Sequence, residues 1–427
     1  LLIERRAEIK GRDLAGNMKI AYICFHLAKG MTGPIESLKQ RAIAARKNRL
    51  DIDFYILNKG RDFHDRNFHL VKVDKLFYPV MFYKKTFNKF SFIEENVRLD
   101  NYDFVVLRYL FADKSGIEFA KKYPLVTEHH TDTLSEMRNL IDACPLPARR
   151  LVWRLKRNIL EKRYGHRMLA RCRGMISVTD EIAEAQAARS GSSIPSVTIP
   201  NGIGVDNVKP TGFRPFEGKS LDMIFVTSTL FPWNGFERIV PSLNNYRGNV
   251  DIKLHVVGDV DRVDFFRLYG HCDRIKFHGL MNRSDLDCMM GEMNLAVGTM
   301  ALYKNKMQQA CSLKTREYVA RGIPFIIAHD DPDLNGIDPQ RRFFESYPND
   351  SSPIDVGTVI EFAERVSENR DEVIAYMRRF AAENLDWSVK MLKLYDFVAN
   401  ITLRDKIREK GVFIPMEEKE GIKPVLS

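Results

Sequence analysis

The 427-residue chain carries 66 Lys and Arg against 56 Asp and Glu, a formal net charge of +10, with 44% hydrophobic residues. That is enough apolar material for two domains of ordinary size, and the basic balance favours an anionic partner (nucleotide, phospholipid surface or nucleic acid) without choosing among them. No run of about 18 apolar residues is present to span a membrane, the charged start lacks a signal-peptide core, and Cys24, Cys144, Cys172, Cys272, Cys288 and Cys311 show no CxxC spacing that would mark a zinc site or disulfide framework. The chain is therefore read as cytoplasmic.

Residues 1–17 read as a flexible leader. From Met18 onward strand and helix signals alternate, which predicts an α/β fold with two doubly wound parallel sheets. Met18–Phe25 is a first strand, followed by a loop with Gly30, Thr32 and Gly33 and a helix from about Ile35 to Asn48. Ile52–Leu57, Phe104–Tyr109, Leu125–His130 and Gly174–Asp180 complete the first series. The turn-rich segment Ile199–Asp206 closes a first domain over 18–205. Asp222–Thr229, Lys253–Asp259, Ile275–Gly279, Leu295–Thr299 and Pro324–Ala328 form the strands of a second domain over 206–384. Leu385–Val398 reads as an amphipathic helix, with a mixed-charge tail after about Arg404.

The stretch from Ser312 to Ile326, SLKTREYVARGIPFI, concentrates the chemistry. A helix opening near Leu313 and stopping at Gly322 puts Lys314, Thr315, Arg316 and Glu317 on a first turn just past the end of a strand. Free N–H groups and the positive dipole end make such a terminus an anion site, and open α/β sheets bind ligands at this edge. A Glu for ribose hydroxyls and a Lys for phosphate suit a nucleotide. The bland alternative is an ordinary helix-start charge pattern.

Two basic stretches lie in the first half. Phe77–Phe90 is aromatic and Lys-rich; Arg149–Arg173 is Arg-rich, with Trp153, Leu155, Ile159 and Leu160 along it. Both suit an anionic membrane surface, or a helix packed on the sheet with a solvated basic face. No nucleic-acid motif accompanies them. The Asp-x-Asp triplets at Asp51–Asp53, Asp259–Asp261 and Asp285–Asp287 match the chance expectation for so charged a chain, and no metal is read from them.

The Ser312–Ile326 stretch resembles the donor motif of retaining GT-B glycosyltransferases, the glycogen-synthase-like group and its bacterial polysaccharide branch, and the resemblance runs roughly from Met18 to Val398. It implies two Rossmann-like domains facing across a cleft and a C-terminal helix crossing back to the first. It implies a nucleotide-diphosphate sugar as donor, a polysaccharide or lipid-linked glycan as acceptor, and no cofactor. Glu317 matches the second Glu of the family's Glu-x7-Glu motif; the first falls on Gln309. Ala310–Leu313, with Cys311 and Ser312, matches the loop that offers backbone N–H groups to the sugar diphosphate, beside Lys314 and Thr315. In the Leu221–Val240 segment, which resembles the first strand and loop of the donor domain, the family's Arg and Lys fall near Ser228 and Asn234. The form here, with Thr229, Trp233, Asn234 and Gly235, is similar to a WHGFDR variant; Trp233 reads equally as an interface aromatic. Gly258 is placed with the donor site. Gly30, Thr32 and Gly33 match the acceptor-side glycine loop. His129 or His130, beside Glu128, matches a His facing the donor sugar; a strand-end polar cluster is the alternative. Two other activities stay open: a GT-B-like nucleotide-sugar epimerase or hydrolase, and a GT-B-like membrane or scaffold protein without catalysis.

Overall fold

A computed structural model describes residues 18–26, 32–58, 68–72, 89–142, 146–228, 230–334 and 342–409. The leader 1–17, Gly30, Thr229, residues 77–88 of the first basic stretch and the tail beyond 409 lie outside the described residues.

The first half holds β1 (Ile20–His26), α1 (Thr32–Lys47), β2 (Ile52–Asn58), β3 (His69–Lys72), β4 (Phe104–Arg108), α2 (Lys114–Lys122), β5 (Leu125–His129) and α3 (Thr133–Asp142). Then α4 (Pro147–Leu155) continues as π-helical turns over Lys156–Gly165 and ends in His166–Leu169. β6 (Gly174–Ser177), α5 (Asp180–Ser190) and β7 (Ser196–Thr198) follow. The sheet is parallel, in the order β3-β2-β1-β4-β5-β6-β7. Its strands are apolar on both faces; Ile20 to Cys24 are all buried, as expected when helices cover both sides. Thr179, expected at a strand end, instead caps α5 by accepting from the Ile182 N–H.

The second half holds β8 (Ser220–Val226), α6 (Phe236–Asn245), β9 (Asp251–Val257), α7 (Arg262–Tyr269), β10 (Ile275–Gly279), α8 (Arg283–Gly291), β11 (Leu295–Val297), α9 (Leu313–Arg321), β12 (Phe325–Ile327) and β13 (Phe344–Ser346). This sheet is also parallel, ordered β10-β9-β8-β11-β12-β13. α10 (Val356–Glu368), α11 (Arg370–Phe380) and α12 (Trp387–Glu409) complete the chain.

The chain crosses between the halves twice, side by side. Ile203 N–H donates to Leu385 O at 2.9 Å and Trp387 N–H to Ile203 O at 3.0 Å. α12 then lies in the first domain's core, where Trp387, Met391, Leu394 and Val398 pack with Ile20, Tyr22 and α1. This helix runs to Glu409, past the expected start of the tail. Three short strands, β3, β7 and β13, have no counterpart among the sequence expectations. α1 starts three residues earlier than expected, at Thr32.

Candidate functional site

Each sheet reverses its strand order once, between β1 and β4 and between β8 and β11. Crevices for ligands form beyond the carboxyl ends of strands at such points. In the second half the crevice lies between the loop after β8 and the loop from β11 to α9. Gly258, after β9, has φ +146°, and a Cβ there would fall 1.7 Å from Thr227 O. Only glycine lets the loop after β9 approach the loop after β8 so closely. Gly235 takes φ +85°, with a Cβ position 2.6 Å from that of Met300. Asn234 is buried and accepts from the Phe231 N–H, while Trp233 O and Asn234 O accept from Ala301 and Met300. Trp233 stacks on Phe231, ring centres 4.4 Å apart.

α9 starts as the sequence predicts. Ser312 caps it, its hydroxyl accepting from Thr315 N–H at 3.3 Å, and Gly322 ends it at φ +78°. Thr315 is buried and its hydroxyl donates to Ser312 O. Leu313 is half-buried at the first helical position. Glu317 accepts through one oxygen from Arg321 at 2.8 Å and pairs with Arg283 at 3.2 Å. Arg321 also pairs with Asp287 at 2.5 Å. Leu280, 75% exposed just past β10, is an apolar surface near Arg283 in sequence. Neither Arg283 nor Leu280 was among the expected residues, and no motif marks them.

Lys314 does not stand at the helix mouth. Its Nζ is buried, has no hydrogen-bond partner, and sits 4.1 Å from the centre of the Phe225 ring. Burial pushes its ammonium down to about 7. Arg316, beside it, is fully buried. It forks onto Asp331 and Asp333 and donates through Nε to Asn201 O at 2.9 Å. Lys390 of α12 meets Asp333 at 2.5 Å. The triplet Asp331–Asp333 was passed over in the sequence, yet it ties the donor-side helix to the linker and to α12.

Gln309 is engaged across the cleft. Its Oε1 accepts from the Glu181 N–H at 3.1 Å, and the Glu181 carboxylate accepts from the N–H groups of Gln308 and Gln309 at 2.9 and 3.0 Å. Cys311 is buried between the halves, its Sγ 3.4 Å from Val178 O and its carbonyl accepting from Asn201 at 2.9 Å. Burial pushes the thiol up to about 11.

In the first half the neighbours at the end of β5 part company, as strand alternation requires. Glu128 is fully buried. It takes Arg41 at 2.7 and 3.0 Å, the Tyr22 hydroxyl, and His130 Nε2 at 2.9 Å. Burial raises its carboxyl, but Arg41, then His130, outweigh burial and hold it well below the usual range. His129 turns to the other face, buried at 4.6 Å from the Tyr109 ring, with Nε2 3.0 Å from the Thr127 hydroxyl. Burial and Arg189 hold it neutral. His130 is half-buried just beyond the strand, and burial and Arg108 lower it to about 4. At neutral pH it offers a hydrogen bond rather than a charge. Thr32 and Gly33 open α1; only their backbone is described.

Among the described residues no three His, Cys, Asp or Glu converge as metal ligands, and no helix is long and apolar enough to cross a membrane. In the expected triplets Asp53 accepts from Tyr102, Asp261 caps α7, and Asp287 pairs with Arg321.

No family model matches the sequence, and no curated protein matches it. Solved structures do. One is the apo form of the lipopolysaccharide outer core galactosyltransferase WaaB, with TM-score 0.55 and 14% identity, over 91% of this chain and 100% of that chain. Another is sucrose-phosphate synthase from Thermosynechococcus elongatus, with TM-score 0.57 and 14% identity over the same shares. A third is Anabaena HepE in complex with UDP, with TM-score 0.55 and 13% identity, over 90% of this chain and 100% of that one. At these identities the likeness is one of fold: two parallel-sheet α/β domains arranged as in the GT-B glycosyltransferases.

Proposed function

We propose that the protein moves a sugar from a nucleotide-diphosphate sugar to a growing polysaccharide or a lipid-linked glycan, with retention at the anomeric carbon and without a metal. The observation that carries this is the start of α9, which opens at the β8/β11 reversal with the Lys314 ammonium, without a hydrogen-bond partner, behind it. HepE, of the same fold, is known in complex with UDP-glucose. As the anomeric C–O bond breaks, the sugar gains oxocarbenium character and the diphosphate gains charge. The N–H groups of the first turn of α9 and Lys314, swung from Phe225, would meet that charge. Glu317, held by Arg283 and Arg321, faces the ribose. His130 bonds a hydroxyl of the donor sugar, with Glu128 holding its ring. Domain closure excludes water and aligns the acceptor hydroxyl.

A thermal-shift series with UDP, GDP, ADP, TDP and CMP tests this. One nucleotide at about a hundred times its Kd adds about 2.7 kcal/mol, a rise of several degrees, and Glu317→Ala abolishes it. The absence of a shift with every nucleotide, together with no transfer from a nucleotide-sugar panel, would sink the proposal. One observation favours a second reading, a GT-B-like protein without catalysis: Gln309, at the family's first Glu position, is committed to Glu181. That reading predicts no turnover of any donor.

Lys314 adds a pH signature. Its ammonium titrates at about 7 in the free protein, and a bound diphosphate restores the proton. Nucleotide affinity is expected to fall between pH 7 and 9, and Lys314→Met removes the slope. The unfolded lysine stays protonated to about pH 10.4. Between pH 7 and that value the unfolded state binds more protons, so the stability of the free protein rises with pH. At pH 7, Lys314→Met stabilises it by about 1–3 kcal/mol, read by urea unfolding.

A further inference from the structure

The basic segment that begins with α4 is a continuous helix over residues 147–169, about 30 Å long. It follows α3 in the connection from β5 to β6, strands of five and four residues, under about 20 Å long. The helix packs its last turn, Met168 and Leu169, into the core and delivers the chain to the amino end of β6. Its first half therefore overhangs the carboxyl edge of the sheet, the edge where β5 ends beside His130.

The overhang is apolar where it meets water. Leu151, Leu155 and Ile159, spaced by four, are 57%, 47% and 43% exposed, and Leu146 and Val152 are exposed beside them. The sequence expectation grouped Trp153 and Leu160 with this stripe, but these two turn inward onto Phe111 and Met137. Arg154 and Lys162 are exposed around the row. Glu161, the only acid between Leu146 and Arg173, is buried; it accepts from Tyr109 at 2.8 Å and Ala112 N–H at 2.7 Å and pairs with Arg189. The exposed face thus carries apolar and cationic groups and no anion.

We infer that this face docks on an anionic lipid surface, with Leu151, Leu155 and Ile159 entering the headgroup boundary and Arg154 and Lys162 resting on lipid phosphates. The charge decides the occupant. A second copy of a chain with net charge +10 would bring like charges together, whereas an acidic leaflet attracts each Lys or Arg near it and accepts the apolar row. Docked this way, the carboxyl edge of the first sheet lies at the membrane, where a lipid-linked acceptor is presented.

The test is co-sedimentation of the full chain with phosphatidylcholine vesicles and with vesicles half phosphatidylglycerol, at low and high salt. Neither nucleotide nor acceptor is present, so the outcome is independent of the sugar-transfer proposal. Binding is expected on the anionic vesicles alone and weaker at high salt. Leu151→Glu with Leu155→Glu lowers partition about tenfold or more, and so does Arg154→Glu with Lys162→Glu. Leu268→Glu, at an exposed apolar position of the second half, leaves it unchanged. These sites are exposed, and matching thermal melts confirm that each variant is folded. Three results overturn the inference: no anionic preference, binding indifferent to both double variants, or self-association through this face without vesicle binding.

Discussion

Arg316→Met is expected to destabilise the protein by about 3–5 kcal/mol, the cost of leaving a buried charge uncompensated. Arg316 is fully buried with Asp331 and Asp333, and its guanidinium meets both carboxylates; Lys390 reaches Asp333 alone. Two cations and two anions balance. Removing Arg316 leaves Asp331 without its ion pair. Total stability of a domain is about 5–15 kcal/mol, so the loss is a large part of it, visible in urea unfolding. Arg316→Lys keeps the charge but loses the fork and falls between the two. Adding Asp331→Asn to Arg316→Met recovers part of the loss, which separates a charge effect from a packing effect. A local readout exists too. Arg316 donates to Asn201 O, and Asn201 holds the carbonyl of Cys311. Cys311 alkylation, followed by mass spectrometry, is expected to be slow in the parent and faster in Arg316→Met. A variant within about 1 kcal/mol of the parent would mean that the network is neutral for stability.

The difference between what could and could not be read beforehand is visible within α9. The opening at Leu313 and Gly322 as stop depend on local backbone chemistry, which a few adjacent residues specify. The same turn places Lys314 over Phe225 and Arg316 on Asp331, and those partners come from β8 and from the loop after β12. Spacing along one helix says nothing about them. Gln309 matched a family position, but its partner, Glu181, lies across the cleft. The dipeptide His129–His130 is similar: alternation dictates opposite faces, but which face holds Arg41 is known only once α1 has packed. Long apolar strands such as β1 and β8 were legible. β11 and β12 are only three residues each but wholly buried, so they read as apolar runs; β7 and β13, as short, lie at sheet edges, are partly exposed and show no such run.

The cluster at the end of β5 should make the protein acid-sensitive well above the carboxylate range. His130 is held near 4 and His129 also well below its ordinary value, both first by burial. In the unfolded chain each takes a proton at about pH 6.5. Between pH 6.5 and 4 the unfolded state binds more protons, so stability falls as pH falls across that window. His130 alone contributes on the order of 3 kcal/mol to the fall. Glu128 has the same sign lower down. Its depressed carboxyl stabilises the fold above about pH 4, and that contribution is lost as pH drops through the folded value. His130→Gln is expected to reduce the pH 4–6.5 limb to the part that His129 carries while leaving the lower one. Glu128→Gln acts across the whole range from pH 4 to 8, where the parent carboxyl is ionised. It leaves Arg41, buried against Trp387 at 4.2 Å, without a counter-ion, at about 3–5 kcal/mol. Because Trp387 stands where the chain crosses back, a loosened Arg41 also loosens the seat of α12. Chemical unfolding from pH 4 to 8 checks both. A His130→Gln profile parallel to the parent's would place the acid sensitivity elsewhere. A mild Glu128→Gln phenotype would mean that water reaches Arg41.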